Sequence, residues 1–275
     1  MKRTRTPSRA SPEELIGARA AQRSSDVPHQ SLTHLLPSQV DELLGADRRK
    51  DEFLAILGHE LRSPLGAVQN ALATLSGPAG QDRAVQQHLH ALIARQVRDM
   101  TQLTADLLDI SGIARGQLRL QRKRIDLHAV LHQALETMDS ELQRRGHRLV
   151  IHCPDSPVWL QGDATRLRQV LHNLLANASK YTDPGGDLAV SLRVRDSFAI
   201  FSVRDSGIGM AADTLPHIFD LFVQADPPAR RHGAGLGIGL ALVRTLVEMH
   251  GGSVAAVSAG EGQGSEFSVR LPVEP

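Results

Sequence analysis

From residue 54 the chain sets apolar residues at steps of three and four: Leu54, Leu57, Leu61, Leu65, Val68, Leu72 and Leu75. That stepping draws one apolar seam along a long helix. The string Ser76-Gly77-Pro78-Ala79-Gly80 breaks it. A second seam follows in Leu89, Ile93, Val97, Met100, Leu103, Leu107 and Ile110, with Gly112 and Gly116 weakening its end. Two long amphipathic helices with so short a connection predict an antiparallel hairpin. One hairpin covers only part of each seam, so pairing of two copies into a four-helix bundle is favoured over packing against the rest of the chain.

Beyond residue 118 the period changes. Asp126 is placed to cap a helix running to about Arg145. Arg148–Cys153 and Val158–Leu160 read as strands, Ala164–Lys180 as a helix, and Leu188–Val194 with Phe198–Val203 as a β-hairpin. A helix is predicted over Leu236–His250, ending at Gly251-Gly252, and strands over Val254–Val257 and Glu266–Leu271. The sum is an α+β chain: the helical hairpin, then helices on one mixed or mostly antiparallel sheet. Residues 1–36 are rich in Arg, Ser, Pro and Ala and lack periodicity, which predicts a disordered tail with one short helix, Pro12–Gln22, as its candidate element. Ser38 and Asp41 resemble a capping box that could start the next helix. The expected division is a tail over 1–37, a helical dimerisation domain over 38–117 and a sheet domain over 118–275.

Composition narrows the function classes. Lys and Arg total 31 against 30 Asp and Glu, which argues against a dedicated nucleic-acid binder. The one cysteine, Cys153, allows no disulfide framework and fits a reducing, cytoplasmic setting. The 13 histidines are scattered without zinc-like spacing. No run of about 18 apolar residues reads as a membrane span.

Several residues carry candidate chemistry. His59 points off the seam set by Leu57 and Leu61, and Ala55, Ser63 and Gly66, all small, share its face with Arg62. Pro64 lies five residues on, at a cost of ~3 kcal/mol inside a helix. An accessible neutral imidazole is a nucleophile near pH 7, and the carboxylate of Glu60 could hold its other ring proton. A lone surface histidine has the same appearance, so the surroundings must decide. Asn173 and Asn177 lie four apart on one helix face, with Lys180 following. An amide oxygen suits magnesium, although polar residues on a half-exposed face would look alike. Asp205-Ser-Gly-Ile-Gly209 follows a strand, where a carboxylate could accept from an exocyclic amine and so select adenine; a plain turn is the competing reading. Gly233, Gly235, Gly237 and Gly239 precede a helix, so backbone N–H groups could close on phosphate oxygens there. Their spacing is neither a dinucleotide fingerprint nor a P-loop.

Taken together the motifs resemble the sensor histidine kinase family. Phe53-Leu-Ala-Ile-Leu-Gly-His59-Glu60-Leu-Arg-Ser-Pro-Leu65 is similar to its H box, Asn173–Tyr181 to its N box, Asp205–Gly209 to its first glycine box, His217–Val223 with Phe219 and Phe222 to its F box, and Gly233–Leu240 to its second glycine box. The order and separations match over about residues 48–272. The resemblance implies a dimeric four-helix bundle followed by a two-layer α/β ATP-binding domain of the gyrase type. It implies His59 as phosphoacceptor, Glu60 as base, Asn177 as magnesium ligand, Lys180 on phosphate and Asp205 on adenine. Asn173, Tyr181, Gly207, Gly209, Gly233, Gly235, Gly237, Gly239 and Leu240 would complete an ATP site. Residues 224–234, with Arg230 and Arg231, would form a mobile lid. ATP and magnesium are the implied cofactors. A homodimer, a separate response-regulator receiver domain and an upstream sensor protein are the implied partners. Two departures matter. Ser63 stands where the family often has Thr or Asn for dephosphorylating the partner. Asn173 stands where gyrase-type hydrolases have a glutamate, which favours transfer to histidine over hydrolysis.

Overall fold

The computed structural model describes residues 61–223 and 237–274, preceded by Ala55, Leu57 and Gly58. The tail, the Pro12–Gln22 helix and the Ser38–Asp41 cap lie outside the described residues.

The first helix, α1, is described over residues 61–76, which include Pro64, and Ala55, Leu57 and Gly58 before it are helical as well. A 3-10 turn, Pro78–Gln81, leads into α2, Arg83–Ala114. Asp82 caps α2 by accepting from the N–H groups of Ala84 (2.7 Å) and Val85 (3.4 Å). Gly112 lies inside α2 rather than ending it; the helix ends at Ala114 with Arg115 as its cap, and Gly116 follows in left-handed backbone. Within one chain much of the two seams stays uncovered: Leu65, Leu72 and Val97 are about half exposed.

The sheet domain is held by a five-stranded sheet in the order β2-β4-β5-β7-β6. Its strands are β2 (Arg148–His152), β4 (Asp187–Arg195), β5 (Phe198–Asp205), β6 (Ser253–Val257) and β7 (Ser265–Pro272). Only β2 and β4 are parallel; the other pairings are antiparallel. Register aligns Leu192, Phe201, Val269 and Val254 in one row, and Val190, Val203, Phe267 and Ala256 in the next. These rows are largely buried. Against them pack α3 (Leu127–Arg145), α4 (Ala164–Tyr181) and α5 (Gly239–Met249). Each helix presents buried residues at helical spacing, as in Leu167, Val170, Leu171, Leu174 and Leu175 of α4.

The sequence predicts one sheet, and here the structure differs. Trp159–Gly162, β3, leaves the main sheet and pairs antiparallel with β1, Lys123–Asp126. The sequence pattern does not reveal β1 because Lys-Arg-Ile-Asp has one apolar residue. Its strand character comes from its partner. Asp126 then serves two elements at once: Oδ1 caps α3 through the His128 N–H and accepts the Val158 N–H, both at 3.0 Å. The last helix begins at Gly239, not at residue 236 as predicted.

Where α5 ends, His250 is buried and locks two elements together. Its Nδ1 donates to the Leu246 carbonyl (2.7 Å), so Nε2 is the unprotonated nitrogen that accepts the Asp163 N–H (3.0 Å). Asp163 in turn caps α4 through Thr165 and Arg166 and accepts from the Gln121 N–H. Burial holds the His250 imidazole below its ordinary range, and burial does the same at His172. A proton on Nε2 would face an N–H donor. Because the folded-state value lies below the unfolded one, the stability from this bond is complete above about pH 6.5 and is lost as pH falls through the folded value. The melting temperature should therefore drop between pH 7.5 and 5. A His250→Gln variant should be less stable at pH 7.5, by about 1–3 kcal/mol, and show a shallower pH slope in the same melting series, leaving the part due to His172.

Candidate functional site

One cavity, about 220 Å³, opens among α4, the end of β5 and the start of α5. Asn173, Asn177, Lys180 and Tyr181 line it from successive turns of α4. Asn173 is buried, and its amide Nδ2 donates to the Gly239 carbonyl at 3.4 Å, which ties α4 to the first turn of α5. Gly237, Gly239 and Leu240 line the cavity from the other side.

Asp205 ends β5 with its carboxylate buried. Oδ1 accepts the N–H groups of Gly207 (2.8 Å) and Ser265 (3.2 Å), so neither bond falls on Oδ2. Burial raises its pKa above the usual carboxylate range, opposed by those two bonds. The turn after it is tight: a Cβ at Gly207 would collide with the Tyr181 carbonyl, and the Ile208 N–H donates to that same oxygen at 3.0 Å. Gly207 thus shapes the site without lining it, while Gly209 lines it.

Apolar walls come from Ile208, Met210, Ile218, Leu240 and Phe267. Phe219 stands edge-on to Phe267, with ring centroids 6.3 Å apart, and so buttresses the wall from behind. Phe222 adopts left-handed backbone (φ 68°), uncommon for an aromatic residue, and its N–H donates to the Gly237 carbonyl at 3.1 Å. Gly237 is also left-handed (φ 67°), and a Cβ there would press on the Phe222 backbone. The two ends of the segment 223–236 are thereby fastened to each other.

Among the described residues no side chain caps the N-terminus of α5: Ile238 sits at the cap without a side-chain hydrogen bond. The N–H groups of that first turn remain available to an acceptor. An apolar slot with a buried carboxylate at one side and uncapped amides at the other suits a molecule with a flat base and a polyanionic tail, which is the fit expected for a purine nucleotide.

Of the predicted site residues, Asn173, Asn177, Lys180, Tyr181, Asp205, Gly209, Gly237, Gly239 and Leu240 meet in this cavity. His59, Glu60, Gly233, Gly235 and the segment 224–234 lie outside the described residues. Ser63 is exposed on α1. Sequence reasoning missed Ser265 and Phe267, which β7 delivers, and the hairpin residues Leu103 and Asp106, which also line the cavity. The closely spaced Gly260, Gly262 and Gly264 just before β7 were an available signal for the first two. No group of three or more metal-ligating His, Cys, Asp or Glu side chains occurs among the described residues.

Comparison with known proteins places these features. Residues 49–116 match the His Kinase A (phospho-acceptor) domain, and residues 162–275 match the histidine kinase-, DNA gyrase B- and HSP90-like ATPase family. The sensor histidine kinase TrcS of Mycobacterium tuberculosis is 34% identical over 252 residues, covering 87% of this chain and 48% of the relative. The histidine kinase AdeS of Acinetobacter baumannii superposes with a TM-score of 0.58 at 25% identity, covering 79% of this chain and 98% of that one. Full-length ShkA, solved in complex with AMPPNP, superposes with a TM-score of 0.57 at 29% identity, covering 81% of this chain and 46% of that one. The chain spans about a quarter to a half of the length of the curated relatives it matches. With a phospho-acceptor helical hairpin followed by a gyrase-type ATPase sheet domain, the chain belongs to the sensor histidine kinase family.

Proposed function

We propose that this chain is a protein-histidine kinase that uses Mg-ATP to phosphorylate His59 and passes the phosphoryl group to an aspartate of a response-regulator receiver domain. The observation that carries the reading is the single cavity in which Asp205, Asn177 and the uncapped start of α5 converge, in a chain whose hairpin matches a phospho-acceptor family. The working division is a hairpin domain over 38–117 and an ATP-binding domain over 118–275.

The roles follow from the chemistry. Oδ2 of Asp205 accepts from the exocyclic amine of adenine while Oδ1 keeps its two backbone donors. Ile208, Met210, Leu240 and Phe267 hold the base and exclude water from it. The Asn177 amide oxygen holds magnesium, with Asn173 one turn before it on the same face. Magnesium, when bound, neutralises charge on the phosphates. Lys180 and the N–H groups from Gly239 onward hold the phosphate oxygens, with Gly233 and Gly235 extending that cradle, and Tyr181 closes the wall beside Lys180. A ring nitrogen of His59 attacks the terminal phosphorus, the bond to the β,γ-bridging oxygen breaks, ADP leaves, and Glu60 takes the ring proton. Catalysis is mainly positioning and charge stabilisation. The exposed Leu65, Leu72 and Val97 support a homodimer that buries them. A cytoplasmic setting follows from ATP as substrate and from Cys153 as the sole cysteine. No helix of the described residues is long and apolar enough to cross a membrane. An upstream sensor protein would act through the hairpin.

Incubation with terminally labelled Mg-ATP should give an acid-labile, base-stable label on the protein, and His59→Gln should remove it; label persisting in that variant would place the acceptor elsewhere. The Asp205 carboxylate must be ionised to accept from the adenine amine, and burial raises its pKa. Calorimetry with Mg-ADP should therefore show affinity falling as pH is lowered from 7.5 to 5. Asp205→Asn turns an amide donor towards the amine and should cost at least about tenfold in affinity at pH 7.5, with little further dependence on pH.

A further inference from the structure

The loop between β6 and β7 grips the turn that follows Asp205. The Gly264 N–H donates to the Gly207 carbonyl (3.0 Å) and the Gly262 N–H to the Ile208 carbonyl (2.6 Å). From the turn, the Met210 N–H donates to Oγ of Ser258 (3.0 Å). The first two bonds run between backbones, whereas the third needs a loop side chain. The fit is close. A Cβ at Gly209 would collide with the Gly260 carbonyl and stand 3.1 Å from Ser258 Oγ, and a Cβ at Gly264 would collide with the Asp205 carbonyl. The turn held in this way carries Ile208, Gly209 and Met210, all of which line the cavity, while Ser258 stands behind them.

The Ser258 hydroxyl is fully used. A hydroxyl has one proton to donate and two lone pairs to accept with. Oγ accepts the N–H groups of Met210 (3.0 Å) and Gly260 (3.3 Å) and donates to the Gly264 carbonyl (2.8 Å), with the Gly260 carbonyl further off at 3.3 Å. Nothing is left over for a ligand, so any effect of Ser258 on an occupant passes through the groups it holds. At one end that is Met210, part of the apolar wall. At the other it is Gly264, the residue before Ser265, whose own N–H donates to Oδ1 of Asp205 (3.2 Å). One hydroxyl therefore bridges the apolar wall and the strand start that orients the buried carboxylate. The opposite side of the cavity is built separately, from α4 and the first turn of α5.

We propose that Ser258 is a positioning residue for adenine recognition: its hydroxyl clamps Met210 to the Gly264 end of the loop and so holds the base slot in register with the Asp205 carboxylate. The proposal rests on the reading of this cavity as the ATP site. Without the hydroxyl, the Met210 and Gly260 N–H groups and the Gly264 carbonyl lose their common partner. The turn then shifts against Asp205, while Asn177, Lys180 and the start of α5 keep their places. The loss falls on the contact with the exocyclic amine more than on the phosphates. Discrimination between bases is therefore the property that Ser258 controls.

Competition calorimetry of the full chain with Mg-ADP and Mg-IDP tests this, with thermal melting to verify folding. The base of IDP carries a carbonyl oxygen where adenine carries its exocyclic amine, so the unaltered chain should prefer ADP. Ser258→Ala should lower ADP affinity at least about fivefold and shrink the ADP-to-IDP affinity ratio at least about threefold. Gly262 has left-handed backbone (φ 74°) with open space where a Cβ would stand. Gly262→Ala therefore strains the same loop without a clash. It should shrink the ratio in the same direction, and it decides the matter where Ser258→Ala does not fold. Equal losses for the two nucleotides would assign Ser258 to stability alone and overturn the proposal. Unchanged affinities in the variants overturn it too, as does equal binding of ADP and IDP by the unaltered chain. Failure of the unaltered chain to bind Mg-ADP at all overturns the nucleotide reading and the proposal together.

Discussion

The Asp205 carboxylate is the joint on which the site depends. It closes β5, and its Oδ1 fastens the turn through Gly207 and the start of β7 through Ser265, a residue 60 positions further along the chain. Those bonds fix Ile208, Gly209 and Phe267 around one slot. They fall on Oδ1 and not on Oδ2, in a residue that lines the cavity. Burial alone would favour the protonated acid; the two backbone donors oppose it. The same group therefore organises three segments of backbone around the cavity.

Around this joint the chain uses carboxylates repeatedly as connectors. Asp126 caps α3 and holds the residue before β3; Asp163 caps α4 and holds the Gln121 N–H. Burial raises the Asp163 carboxyl, and its three backbone donors and the Arg166 charge more than offset that, leaving it below the ordinary range. Each of these acids fixes the first residue of a helix relative to a segment distant in sequence. That rigidity contrasts with the hairpin, whose seam residues Leu65, Leu72 and Val97 lack cover within one chain.

The contact between α2 and α4 joins these two regimes. The helix that carries Asn173 and Asn177 towards the cavity also offers Arg166 and Gln169 to the hairpin.

Local physics made much of this legible in advance. The stepping of Leu and Val gave the hairpin, Asp126 gave the start of α3, alternation gave β4 and β5, and the spacing of Asn173 and Asn177 put both on one face of α4. Asp205 and the glycines stood out because few side chains tolerate so close a backbone approach, as the Tyr181 carbonyl against Gly207 illustrates. Other features were decided only by the folded chain. β1 is a strand because β3 pairs with it, not because Lys-Arg-Ile-Asp favours one. Ser265 and Phe267 reach the site because β7 lies beside β5. Asp106 reads in sequence as one more polar residue on an amphipathic helix and acquires its meaning from burial against Gln169. Periodicity and turn chemistry act over a few residues, so sequence states them directly; which distant surfaces meet is a property of the whole packing, and only the tertiary structure settles it.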